Sequence, residues 1–171
     1  MISESWESGL QKMPCVRRGV YRTKMKLSKL YCNKPDVMEP VFFKEGLNVV
    51  IGEVHRPREY DRDTHNLGKT TLGKLLDFAL LAKKTKDDFL FKHPCFVDFV
   101  FFLEIELPRG HFLTIRRSVA NPSKISLKKH ANQYQDLSSC TDWDHPDVSF
   151  EAAKKLADGL LDSQTPGAKP I

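Results

Sequence analysis

The chain has 171 residues, 40% of them apolar and 29% charged, with a formal net charge of +5 and a pI near 9.0. That length suits one domain with a core of its own, and the mild basicity permits a nucleic-acid or acidic partner without demanding one. The longest apolar run, Phe99 to Leu103, is too short to cross a membrane, and the N-terminus lacks the apolar core of a signal peptide. No membrane partner and a cytoplasmic location are therefore expected. Cys15, Cys32, Cys95 and Cys140 lack C-x-x-C spacing and read as four reduced thiols. His93-Pro94-Cys95 has no second pair at zinc-ligand spacing.

In chain order, residues 1–24 mix Ser, Glu, Arg and Lys with little period and read as a poorly ordered leader. The domain proper is expected over 25–162, and 163–171 reads as a flexible end. Met25 to Tyr31 predicts a first strand, residues 32–40 a turn region, and Phe42-Phe43 an edge strand turning at Gly46. Leu47-Asn48-Val49-Val50-Ile51 predicts a strand closed by Gly52. A polar insert, Glu53 to Thr64, reads as a surface excursion that returns through His65-Asn66. From Lys69 a helix is expected, because Leu72, Leu75, Leu76, Ala79 and Leu80 recur on one face. Lys83 to Asp88 is a solvated charge run. Residues 95–107 carry the strongest strand pattern, with Phe99, Phe101, Leu103, Ile105 and Leu107 on one face. Pro108 to His111 predicts a turn, Phe112 to Val119 the returning strand, and Lys124 to Lys128 a third strand. Asp147 or Ser149 is expected to cap a last helix with Phe150, Ala153, Ala157, Leu160 and Leu161 on one face.

The segment His65-Asn66-Leu67-Gly68-Lys69-Thr70-Thr71-Leu72 carries the chemistry. A strand, a turn and a helix start form a phosphate cradle, because the free N–H groups and the dipole of a helix N-terminus attract an anion. Gly68 lets the backbone approach, Lys69 reaches the β- and γ-phosphates, and the Thr70 hydroxyl ligates Mg²⁺. Thr71 would donate to the α-phosphate, and Asn66 would brace the loop from its side chain. The usual spacing, G-x-x-x-x-G-K-[ST], is broken: Asp63 stands five residues before Gly68, and the nearest upstream glycine is Gly52. Fifteen residues, 53–67, replace the usual four.

With Gly46 to Glu53, Asp63 to Leu72 and Leu76 to Leu80, this loop resembles the N-terminal part of SMC-like ABC-type ATPases. The similarity is strongest to a bacterial group with a His-Asn-Leu-Gly-Lys-[Ser/Thr]-Thr loop behind a charged insert. Phe112 to Arg117 resembles the strand that follows in those proteins, and the resemblance spans roughly residues 25–160. It implies an α/β P-loop NTPase N-terminal lobe with an antiparallel β layer, part of an incomplete ABC-type head. It also implies ATP and Mg²⁺ at Asn66, Leu67, Gly68, Lys69, Thr70 and Thr71, with Lys69 in the catalytic role and Thr70 on the metal. The family's partners would be a C-terminal lobe or a second ATPase head, with DNA as a further partner in maintenance, repair or defence. No run ending in Asp-Glu and no Ser-Gly-Gly signature occurs in this sequence. Hydrolysis would thus need a second lobe.

Other residues keep two readings. Arg116 and Arg117 alternate on one strand; one could face nucleotide or DNA, or both could be solvated. Arg56, Arg58 and Arg62 could meet phosphates, but Glu53, Glu59, Asp61 and Asp63 offset their field. Gln133 and Gln135 stand where a lobe-linking glutamine would, without a surrounding motif. The rival functions are a truncated, non-catalytic interaction module and a P-loop small-molecule kinase.

Overall fold

The computed structural model describes residues 25–50, 68–83 and 88–162. Within them the chain is mixed α/β. Six strands, β1 (Lys26–Cys32), β2 (Val41–Phe42), β3 (Val100–Leu107), β4 (His111–Ser118), β5 (Lys124–His130) and β6 (His145–Ser149), form one antiparallel sheet in the order β2-β1-β3-β4-β5-β6. The helices are α1 (Lys69–Ala79), α2 (Phe89–Lys92) and α3 (Phe150–Asp162). The leader, the insert and the C-terminal end lie outside the described residues.

The period-2 pattern of β3 decides the layers. Phe101, Leu103, Ile105 and Leu107 join Leu30, Leu113, Ile115, Ile125 and Leu127 in the core. Leu75, Phe78 and Ala79 of α1, Leu90 of α2, and Ala153 and Ala157 of α3 complete it. The faces of α1 and α3 that the sequence marks apolar are the ones buried here. Ser149, not Asp147, caps α3: its hydroxyl accepts from the Ala152 N–H at 3.3 Å.

Three expectations change. Residues 47–50 form no strand; Leu47, Val49 and Val50 are 88%, 68% and 52% exposed, and Ile51 and Gly52 lie outside the described residues. The Asn48 side chain accepts from the Lys44 N–H at 2.8 Å and donates to the Lys44 carbonyl at 2.9 Å. With Gly46 at φ 89°, this closes a tight turn just before the apolar run. The long strand begins at Val100 rather than Cys95, because Pro94–Phe96 is a 3₁₀ turn whose proline supplies no N–H. β6 and the four-residue α2 were not foreseen in the sequence pattern.

The second face of the sheet is polar at its centre and covered by residues 131–144. A bulge between Leu27 and Lys29 puts two residues of β1 opposite Glu104. It aims the Ser28 hydroxyl at that carboxylate. Glu104 is fully buried; its Oε1 accepts from Ser28 Oγ at 2.5 Å and from the Tyr134 N–H at 3.0 Å. Its Oε2 has no hydrogen-bond partner and lies 3.9 Å from His130 Nε2. His130 Nδ1 faces the Asn132 carbonyl at 2.9 Å, which makes Nδ1 the donor, and Nε2 meets Thr114 Oγ1 at 2.8 Å. Tyr31 stacks on Phe102 at 4.8 Å, and its hydroxyl accepts from the Leu137 N–H at 2.9 Å.

Burial pushes the Tyr31 phenol and the neighbouring Cys32 thiol up from their ordinary values. Both acids are raised in the fold, so their contribution to stability is present below the unfolded values and lost as pH climbs past them. Urea midpoints should therefore fall as pH rises above about 9, where the unfolded thiol and then the unfolded phenol ionise first, and Tyr31→Phe should lessen the fall above about pH 10. Midpoints that hold steady over this window would contradict the assignment.

Candidate functional site

Helix α1 carries opposite arrangements at its two ends. At the N-terminus Gly68 is the N-cap residue, at φ 77° and ψ −2°, a left-handed conformation that glycine takes without strain. A Cβ there would meet nothing within 4 Å, so the requirement is backbone conformation rather than space. The first backbone bond of the helix runs from the Leu72 N–H to the Gly68 carbonyl, at 2.8 Å. Among the described residues no side chain caps this end, and no acidic residue stands in the first turn. Lys69 and Thr70 are exposed and Thr71 is half-buried. The positive end of the helix dipole thus stands beside an ammonium and two hydroxyls, a combination that attracts an oxyanion. Of the expected cradle, the structure brings Gly68, Lys69, Thr70 and Thr71 together. His65, Asn66, Leu67 and the insert with Arg56, Arg58 and Arg62 lie outside the described residues.

The C-terminus of α1 is satisfied twice over. Leu81, at φ 61°, donates its N–H to the Phe78 carbonyl at 3.2 Å, and the Ala82 N–H reaches the Asp77 carbonyl at 2.9 Å. This is the paired closure of a Schellman motif with leucine in the usual glycine position. The helix has no basic residue in its last turn. β4 supplies one: Arg117 Nη1 donates to the Phe78 carbonyl at 2.6 Å and to the Ala82 carbonyl at 3.2 Å. Its Nε donates to the Pro122 carbonyl at 2.8 Å. The guanidinium lies 4.3 Å from the Phe78 ring centre and 5.4 Å from that of Phe150.

Arg117 is 2% exposed, which corrects the reading of two solvated arginines. Its neighbour Arg116 faces the other side, where it meets Ser126 Oγ at 3.3 Å, Asp147 at 3.6 Å and the Trp143 ring at 6.0 Å. Neither arginine reaches the start of α1. Gln133 donates to Ser28 Oγ at 3.3 Å, behind the buried Glu104. Asp88, at the end of the charge run, caps α2 by accepting from the Leu90 N–H at 3.5 Å. The role of Arg117 was missed because an arginine on a strand reads as solvated or as facing a ligand. The signal available was its alternation with Leu113 and Ile115, which puts it on the apolar face of the strand.

Among the described residues, no group of three or more His, Cys, Asp or Glu side chains is placed to hold a metal ion, and no helix is long and apolar enough to cross a membrane. Thr70 would be a single metal ligand, with the remainder supplied by nucleotide oxygens and water. Comparisons with protein-family models, with curated proteins and with solved structures each find no match.

Proposed function

We propose that this chain is the ATP-binding N-terminal lobe of an SMC-like ABC-type ATPase. The observation that carries the reading is the N-terminus of α1, with Gly68 left-handed, Lys69 and Thr70 exposed, and no capping side chain among the described residues. In this reading the first-turn N–H groups and Lys69 hold the phosphates, and Thr70 and the β- and γ-oxygens hold Mg²⁺. The antiparallel sheet supports it as the β layer beside such a loop. Catalysis in such a head is positioning and charge neutralisation, and the hydrolytic carboxylate would come from another lobe. DNA is the partner implied for the assembled protein.

Magnesium gives the test. ATP affinity of the wild type should fall about tenfold when Mg²⁺ is chelated, whereas Thr70→Ala should bind about equally with and without it. Wild-type binding indifferent to Mg²⁺ would remove Thr70 from the site.

A further inference from the structure

The geometry points to a second site, for a small oxyanion of phosphate size, at the end of α1 opposite the phosphate loop. A cavity of about 290 Å³ is lined there by Lys83, Arg117, Pro122, Ser123, Phe150 and Glu151. That volume is at the lower limit of ligand pockets and suits a small ion rather than a nucleotide.

Arg117 forms the floor. It is almost wholly buried, yet all three of its hydrogen bonds go to neutral carbonyl oxygens. These use Nε and Nη1; among the described residues Nη2 has no hydrogen-bond acceptor, and Arg117 lines the cavity. Among the described residues it forms no ion pair. The Asp88 carboxylate acts on the guanidinium through space without pairing with it, so part of the desolvation cost is left for a bound anion to offset. Burial accordingly brings its pKa down to about 10.

The surroundings fit an oxyanion. Lys83 adds a second positive charge at the exposed rim, and Ser123 offers a hydroxyl from the β4–β5 turn. Phe150 and Pro122 form apolar walls that limit the water around the guanidinium. Glu151 is the opposing group: its carboxylate lines the same cavity without pairing with Arg117 or Lys83. With Asp88 acting on Arg117 from outside the lining, the two cations face two carboxylates, and removal of Glu151 should tighten binding. Three residues with donor groups of different type line one small volume, which favours a tetrahedral oxyanion over chloride.

Inorganic phosphate is the probe, and thermal melting in matched chloride is the readout. The phosphate loop is first removed with Lys69→Ala, so that a failure here is separate from a failure of the ATP reading. In that background phosphate at ten times its Kd should raise Tm by about 3–5 °C. Adding Lys83→Ala and Ser123→Ala, both at exposed positions, should abolish the shift, whereas adding Glu151→Gln should enlarge it. Arg117 stays in place throughout because it holds α1. No shift in Lys69→Ala, or one that survives loss of Lys83 and Ser123, overturns the proposal.

Discussion

Arg117→Ala is expected to be among the most destabilising single substitutions in this chain, at about 4 kcal/mol. It leaves the Phe78, Ala82 and Pro122 carbonyls without their charged donor. Charge-assisted bonds of this kind contribute about 1.5–3 kcal/mol each before the recovered desolvation of the cation is set against them. It also opens a void between the Phe78 and Phe150 rings. The desolvation term favours the mutant, so the net is well below the sum of three bonds. In a protein of this size a loss of that order lowers Tm by roughly 8–16 °C. Arg117→Lys should recover little, because one ammonium cannot reach the end of α1 and the Pro122 carbonyl together. Thermal melting of the two variants decides: a drop under about 3 °C for Arg117→Ala would mean that α1 is held by its apolar face alone.

Glu104→Ala should cost about 2–4 kcal/mol by a different route. It strands two donors, the buried Ser28 hydroxyl and the part-buried Tyr134 N–H, at the cover formed by residues 131–144. Glu104→Gln keeps an oxygen for both and places its amide where Oε2 now has no partner. It should therefore lie within about 1 kcal/mol of wild type. Chemical denaturation separates the cases: equal losses in Ala and Gln would show that charge, rather than acceptor geometry, holds the second face.

Much of the sheet was legible in the sequence. β3 and β4 alternate cleanly, the turn between them is marked by Pro108 and Gly110, and α1 and α3 repeat their apolar residues at helical spacing. What escaped notice depends on tertiary pairing. β6 reads His-Pro-Asp-Val-Ser, with a proline and Asp147 at φ 46°, so only its register against β5 makes it a strand. The run at Leu47 to Ile51 has strand composition, but composition supplies no partner. The Glu104 cluster needed a bulge and a loop thirty residues away to become visible. At the candidate site, Gly68 before Lys69 was readable because a left-handed helix start favours glycine. The link from Arg117 to the other end of that helix was not, since no local pattern joins residues 39 apart.

The central claim is that the start of α1 holds the phosphates of ATP. Calorimetric titration of ATP·Mg²⁺ into the wild type and into Lys69→Ala tests it most directly. Lys69 is exposed and serves no packing role, so its loss should leave melting unchanged while removing one charge-assisted phosphate contact. Affinity should weaken by roughly 2 kcal/mol, or about thirtyfold. Equal binding by the two proteins, or none by either, would contradict the account.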